Sequence, residues 1–155
     1  MLIRQGTVAD LPGVHALLLA WEQEEITYGL VASDLSHLHD RLNEFFRVAE
    51  VDGQLVGMVA ASEHVSDGLA VIPAGERYLE VDDLYVCPEW RSQGIGRVLL
   101  DTVLARAEQD GIRYQLVYSA TKDVRRVMRF YENCGFESWY IQMYRRSPEK
   151  GQSNT

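Results

Sequence analysis

The chain has 155 residues, a length typical of one domain with its own hydrophobic core. Its formal net charge of -8 argues against a protein whose main task is to bind a nucleic-acid backbone, because such proteins carry a basic face. The acidic excess is compatible with a cationic small substrate, and equally with a role in solubility alone. The two cysteines, Cys87 and Cys134, have neither the spacing of a zinc site nor the number of a disulfide framework, so we expect no metal.

Hydropathy indicates a cytoplasmic protein without a membrane partner. The N-terminal residues 1–6 lack the apolar stretch of a signal peptide. No apolar run approaches the ~20 residues that a bilayer-spanning helix needs. We therefore expect a reducing compartment, in which both cysteines stay free.

Hydrophobic periodicity and turn residues predict ten elements in the order βααβββαβαβ. They are a strand at 2–4, a helix from Thr7 to Trp21, a helix from Ser33 or Asp34 to Phe45, strands at 46–51, 55–61 and 78–86, a helix at 94–109, a strand at 112–118, a helix at 123–133 and a strand at 136–145. Thr7 and Asp10 have the spacing of a capping box at the first helix. Asp52-Gly53 is a strong hairpin signal between the second and third strands.

These elements predict an α/β (α+β) fold with a mixed, mostly antiparallel sheet flanked by helices. The short turns make the meander 46–86 antiparallel, whereas the strand-helix-strand segment 78–118 is parallel by the crossover rule. Residues 1–146 form one domain. Residues 147–155, which are polar and include Pro148 and Gly151, form a flexible tail.

The most informative segment joins the strand at 78–86 to the helix at 94–109. It contains Arg91-Ser92-Gln93-Gly94-Ile95-Gly96-Arg97, in which two glycines open the helix. A helix N-terminus offers free N–H groups and partial positive charge, so it can bind a pyrophosphate to which Arg91 and Arg97 add charge. The same pattern also fits a tight strand-to-helix turn that requires glycine. It is neither a Rossmann fingerprint nor a P-loop.

This segment resembles the signature of the GNAT superfamily of N-acetyltransferases: Arg or Gln, two residues, Gly, one residue, then Gly or Ala. Arg91, Gly94 and Gly96 meet it. Downstream, the run from Phe130 to Phe136, with Tyr131 and Gly135, resembles the second family signature, aromatic-Tyr-x-x-x-Gly-Phe. The resemblance covers nearly the whole chain. It implies a GNAT-like sheet with a central splayed strand pair.

The resemblance implies acetyl-CoA as the acyl donor, entering between strands 78–86 and 112–118. It places backbone contacts to the pantetheine arm at Leu84 and Val86, with an N–H near Leu84 polarising the thioester carbonyl. The pyrophosphate contacts fall on Arg91, Ser92, Gln93, Gly94, Ile95, Gly96 and Arg97.

Transfer to an amine requires a base for the ammonium and an acid for the departing thiolate. The resemblance makes Tyr131 the candidate acid, although its spacing fits a packed aromatic equally well. Glu80 and Asp82 are the candidate bases, or else carboxylates at a solvated strand end that only attract a cation. Strand alternation puts these two on one face and Asp83 on the other, unless a bulge resets the phase.

One position departs from the family pattern. Val124 stands where many members carry an Asn seven residues before the Tyr, and Ser119 or Thr121 could replace that Asn. Acceptor selectivity is expected from residues 22–45 and from the loop 64–77. The first region holds the carboxylates Glu22, Glu24 and Glu25 near Tyr28, which either attract a cationic amine or form an ordinary solvated helix end.

The main hypothesis is an N-acetyltransferase that acts on a primary amine of a small molecule or peptide, by direct attack in a ternary complex. The alternative is a catalytically inactive acyl-CoA sensor of the same fold. The motif order disfavours a third class, other nucleotide-binding domains. Family members are often dimers, and Trp139, Tyr140 and Tyr144 could supply a homodimer interface or belong to the core.

Overall fold

The computed structural model describes residues 1–149 and contains a five-stranded sheet whose strand order follows the chain. The strands are β1 (Leu2–Gln5), β2 (Arg47–Val51), β3 (Gln54–Val65), β4 (Arg77–Val86) and β5 (Tyr114–Val117), and the helices are α1 (Leu11–Glu24), α2 (Leu35–Asp40), α3 (Ile95–Gln109) and α4 (Val124–Asn133). Strands β1 to β4 pair antiparallel, whereas β4 and β5 pair parallel. This confirms the predicted mixed, mostly antiparallel sheet.

Helices cover both faces of the sheet and divide the core in two. One core lies under α3 and contains Leu79 and Val81 of β4. The other lies under α1 and α2 and contains Met58 of β3 and Tyr85 of β4. No helix within residues 1–149 combines the length and apolar character needed to cross a bilayer. Of the predicted flexible tail, residues 150–155 lie outside the described part of the chain.

The second helix is shorter than its apolar spacing predicts. We expected it to continue to Phe45, but α2 ends at Asp40. Asn43 provides the reason, because its side-chain amide donates to the carbonyl of Ala61 at 2.9 Å and its side-chain oxygen accepts from the Phe45 N–H at 2.7 Å. Such side-chain bonds to the backbone compete with helix formation.

The predicted last strand at 136–145 is wrong. The described residues after α4 form no regular secondary structure, and β5 is the last strand in the sheet. Alternation of apolar residues specifies a strand only where a neighbouring strand accepts its hydrogen bonds. Trp139, Tyr140 and Tyr144 are exposed rather than part of the core.

A bulge in β4 changes which side chains face which core. Ala60 pairs with Asp83 and Ala61 with Val81, so Asp82 is an extra residue without a partner on β3. Val81 therefore faces the α3 core, whereas Tyr85, an even number of residues later, faces the α1 core.

Strands β4 and β5 separate at the same point. Their pairing begins at Tyr78 and Tyr114 and ends at Val81 and Val117. From Asp83 to Val86, β4 pairs with β3 and with no other strand of the described chain. The sheet thus contains the expected splayed strand pair, with its gap at the bulge.

Candidate active site

Two cavities meet where β4 separates from β5. The first, which we call the β4–β5 cleft, has a volume of about 480 Å³ and runs between Val81–Val86, the chain after β5, and α4. The second, the α2 cavity, has a volume of about 510 Å³ and lies between Leu18, the region around Asp40 and Arg41, and Ala60–Ser62 of β3. Among residues 1–149, four line both cavities: Leu30, Asp82, Asp83 and Tyr118.

A loop between α1 and α2 closes one side of the β4–β5 cleft. The N–H of Tyr28 donates to the carbonyl of Ala120 at 2.8 Å, and the N–H of Lys122 donates to the carbonyl of Ile26 at 2.9 Å. The indole N–H of Trp21 holds the loop to α1 by donating to Thr27 at 3.0 Å. These bonds join the loop to the chain that follows β5, and so they bridge the gap between the splayed strands.

The N-terminus of α3 opens at one end of this cleft. Gly94 precedes the helix with a φ of 83°, a left-handed conformation that favours glycine, and it offers no side chain to cap the helix. The first N–H groups of α3 therefore remain able to bind an anion. A Cβ on Gly96 would lie 3.7 Å from both Val86 and Phe130, so the helix start packs closely against β4 and α4.

The two arginines of the motif are bound by protein groups. Arg91 makes a two-bond ion pair with Glu24 at 2.9 and 2.7 Å, and its Nε donates to the carbonyl of Val86 at 2.8 Å. Arg97 pairs with Asp101 at 3.0 Å and donates to the carbonyl of Asn133 at 2.9 Å. Their predicted contacts with a cofactor phosphate stay a prediction, and protein groups already balance their charge.

Glu24 also accepts a hydrogen bond from the hydroxyl of Tyr85 at 2.6 Å. Burial raises the pKa of the Glu24 carboxyl, but the bonds from Arg91 and Tyr85 outweigh it, so the pKa is lowered overall. The sequence left open whether this carboxylate attracts a cationic amine or belongs to a solvated helix end; in the structure it ties the end of α1 to β4 and to the motif that follows it.

We expect Glu24→Gln to lower the free energy of unfolding by about 2 kcal/mol at pH 7, between the values typical of exposed and buried ion pairs. Because the folded pKa lies below the ordinary 4.5, the contribution is complete above that pH and is lost as pH falls through the folded value. Urea unfolding at pH 7 and pH 4 measures both effects. Glu108→Gln, on an exposed part of α3, is the control, and an equal loss in both variants would contradict the role of the pair.

Tyr131 lines the β4–β5 cleft and is also packed. Its ring contacts Phe130 and Phe136 edge-on, with centroids 5.1 and 5.6 Å apart. Burial raises the pKa of its hydroxyl to about 12. The side chain thus keeps its proton at neutral pH, as a general acid requires. Its aromatic contacts fit a packing role equally well, so both interpretations of Tyr131 stay open.

The bulge brings Asp82 and Asp83 to the junction of the two cavities. Asp82 accepts a hydrogen bond from Ser62 at 2.8 Å, and Asp83 pairs with Arg41 at 2.6 Å. Glu80, the other candidate base, lines neither cavity. The prediction that Asp82 and Asp83 lie on opposite faces of the sheet is wrong, because both line the same two cavities. The bulge resets the alternation of side chains, as the sequence analysis allowed.

Tyr118 is a site residue that the motifs did not indicate. It follows β5, lines both cavities and is largely exposed. Partial desolvation of its hydroxyl by the cavity walls, and then the nearby charges of Asp82, Glu80 and Asp83, raise its pKa. Its position directly after β5, the strand that separates from β4, is the feature of the sequence that could have identified it.

The other predicted site residues and regions lie at the β4–β5 cleft, at the α2 cavity or at neither. Ser119 and Thr121 line the β4–β5 cleft, where a substitute for the missing Asn is expected, whereas Val124 is exposed. The region 22–45 contributes residues to the α2 cavity. The loop 64–77 lines neither cavity, because its Ser66 hydroxyl donates to the carbonyl of Ile72 and closes the loop on itself.

A splayed strand pair that leads to an uncapped helix N-terminus is what the resemblance to the GNAT superfamily implied, and comparison with known families agrees. The model of the acetyltransferase (GNAT) family matches residues 14–136. The chain therefore belongs to the GNAT acetyltransferase family.

Particular relatives differ in how much of their length is matched. An aminoglycoside N(6')-acetyltransferase type 1 of Stenotrophomonas maltophilia is 31% identical over 94% of this chain and 92% of that protein. A mycothiol acetyltransferase of Thermobifida fusca is 33% identical over 68% of this chain, which spans only 32% of that protein. The solved structure of a predicted acetyltransferase with acetyl-CoA from Clostridium acetobutylicum has a TM-score of 0.71 at 18% identity, covering 92% of this chain and 95% of that one.

Proposed function

We propose that this protein transfers an acetyl group from acetyl-CoA to a primary amine of a cationic small molecule, by direct attack in a ternary complex. The observation that carries the proposal is the meeting of two cavities at Asp82 and Asp83. One cavity leads to the uncapped N-terminus of α3, and the other has acidic residues in its wall. A donor and an acceptor could therefore reach the same point from opposite sides.

The β4–β5 cleft suits the donor. Bound there, acetyl-CoA would supply the activated acetyl thioester. The backbone of β4 from Leu84 to Val86 lacks β5 as a partner and can bond the pantetheine arm, with an N–H near Leu84 donating to the thioester carbonyl. The N–H groups of residues 93–96 at the start of α3 would hold the pyrophosphate.

The α2 cavity suits a cationic acceptor. Asp40, Asp82 and Asp83 line it, and Arg41 neutralises Asp83. An acceptor ammonium at the junction would lie beside Asp82, which is bonded only by the neutral hydroxyl of Ser62 among the described side chains. Similarity to an aminoglycoside N(6')-acetyltransferase across nearly the whole chain makes the 6'-amine of an aminoglycoside the first acceptor to test.

We assign the two proton transfers to one side chain each. Asp82, favoured over Glu80 because it lines both cavities, would take the proton of the acceptor ammonium, directly or through water. The hydroxyl of Tyr131 would give its proton to the departing sulfur and leave a neutral thiol.

The proposal is tested by the rate of thiol release from acetyl-CoA with a panel of amines. The panel contains an aminoglycoside with a free 6'-amine, the same scaffold without that amine, a linear polyamine and a neutral amino acid amide. We expect amine-dependent release that is fastest with a polycationic acceptor. Binding of acetyl-CoA without turnover of any amine would instead favour the inactive sensor, which nothing in the described site supports.

A further inference from the structure

A series of hydrogen bonds leads from Asp82 to the end of β3. The Oδ2 atom of Asp82 accepts a hydrogen bond from the Ser62 hydroxyl at 2.8 Å. The same Ser62 oxygen lies 3.0 Å from Nε2 of His64. Ser62 and His64 are two residues apart on one strand, so their side chains point to the same face of the sheet. Asp82, Ser62 and His64 therefore form one continuous hydrogen-bonded series, which we call the β3 series.

The β3 series starts inside the site and ends outside it. Asp82 lines both cavities and Ser62 lines the α2 cavity, whereas His64 lines neither cavity and is exposed to solvent. A donor and an acceptor bound together would occupy both cavities and displace the water that reaches Asp82 through them. The β3 series provides a separate path from Asp82 to solvent, which neither substrate would block.

The chemical order of the three groups suits the movement of a proton toward solvent. A carboxylate holds a proton only weakly at neutral pH, whereas an imidazole exchanges protons with water close to that pH. A serine hydroxyl is a donor and an acceptor at once, so it can receive one proton while it passes on another. The group that takes a proton from an ammonium and the group that returns it to water are thus joined by a bridge that can carry it.

We infer that Ser62 and His64 carry away the proton that Asp82 takes from the acceptor ammonium, an inference that rests on the proposed function. An N–H bond of the ammonium breaks as an O–H bond forms on Asp82, and the nitrogen keeps the electron pair with which it attacks. Asp82 then gives this proton to the Ser62 oxygen while the Ser62 hydroxyl gives its own proton to Nε2 of His64. Asp82 and Ser62 return to their starting forms, and the imidazolium of His64 releases a proton to water.

The same hydrogen bonds fix where His64 holds its proton before a substrate binds. Because the Ser62 hydroxyl donates to Asp82, its oxygen accepts from an Nε2–H of His64. Once Asp82 is protonated, the Ser62 hydroxyl turns toward His64 and requires an Nε2 without a proton. An exposed imidazole makes this change by exchanging its proton through water to Nδ1. The β3 series therefore predicts the Nε2–H tautomer for neutral His64 in the free protein.

The kinetic test compares His64→Gln with Val65→Gln, which places the same side chain on the opposite, exposed face of β3. With the best amine of the panel in dilute buffer at pH 7, we expect kcat to fall roughly tenfold in His64→Gln. The KM for the amine and the dissociation constant of acetyl-CoA should not change. Added imidazole should restore most of the rate, because it can take the proton from Ser62 in place of the missing ring. Val65→Gln should keep the native kcat with or without imidazole.

A second test needs no turnover. Nitrogen NMR of the His64 ring, at a pH at which the ring is neutral, shows which nitrogen carries the proton. We expect the proton on Nε2 in the native chain and in Val65→Gln. In Ser62→Ala we expect a mixture of both tautomers, because the methyl group cannot accept a hydrogen bond from Nε2–H.

Three outcomes would overturn the inference. The first is an unchanged kcat in His64→Gln, and the second is a loss that imidazole does not restore. The third is a His64 tautomer that is the same in Ser62→Ala as in the native chain. Failure of the proposed function is recognised separately, because the native chain then releases no thiol with any amine. The inferred proton path falls with it, and the tautomer measurement still reports whether the β3 series exists.

Discussion

Tyr131→Phe should lower kcat by roughly 10²-fold or more, with at most about a threefold change in the dissociation constant of acetyl-CoA. The substitution removes only a hydroxyl, whose pKa of about 12 keeps it protonated at neutral pH. Phenylalanine retains the edge-on contacts with Phe130 and Phe136. A loss confined to kcat would therefore identify the hydroxyl as the acid for the departing sulfur.

The measurement is steady-state kinetics with the best amine of the panel, beside calorimetric titration with acetyl-CoA. Tyr78→Phe is the matched control, because Tyr78 stacks on His64 and lines neither cavity. An unchanged kcat in Tyr131→Phe would reduce Tyr131 to a packing residue, the alternative that its helical spacing had left open.

Asp82→Asn should lower kcat/KM for a cationic amine by roughly 10²-fold, whereas Glu80→Gln should change it by less than about threefold. Asp82 lines both cavities, and the bulge turns it toward their junction. Asparagine keeps an oxygen that can accept the hydrogen bond from Ser62, so the strand need not rearrange. Glu80 lies outside both cavity walls.

Rates measured across pH with both variants decide between the two carboxylates. The larger loss in Glu80→Gln would show that the base acts from outside the junction, through water, and would contradict the assignment. Equal small losses would mean that the carboxylates only attract the acceptor, as a solvated strand end would.

Local signals in the sequence were sufficient for the turns and caps. Thr7 and Asp10 form the expected capping box, in which the Thr7 N–H donates to the Asp10 carboxylate at 2.8 Å. Asp52 and Gly53 both have positive φ, 50° and 78°, as the two-residue hairpin turn requires. These features depend on residues only a few positions apart, so they can be predicted from the local sequence.

Features that depend on distant partners could not be predicted. Arg91 and Glu24 are 67 residues apart, and their pairing follows only once α1 packs beside β4. The end of α2 depends on the bond of Asn43 to β3. The position of the β4 bulge is a property of the strand pair, and it decides that Asp83 joins Asp82 at the site.

The predicted last strand also depended on a partner that local sequence does not reveal. Residues 136–145 alternate as a strand would, but a strand forms only where a sheet edge accepts its hydrogen bonds. In the described chain these residues pair with no strand.

The most direct test of the central claim is calorimetric titration of the chain with acetyl-CoA, beside NAD, for native protein, Gly94→Glu and Gly75→Glu. Both glycines have a positive φ, 83° and 85°, and open space for a side chain, but only Gly94 lies at the start of α3. We predict one acetyl-CoA per chain, no binding of NAD, and binding lost in Gly94→Glu but kept in Gly75→Glu. No binding of acetyl-CoA to the folded native chain at millimolar concentration, or equal binding in the two variants, would contradict the account.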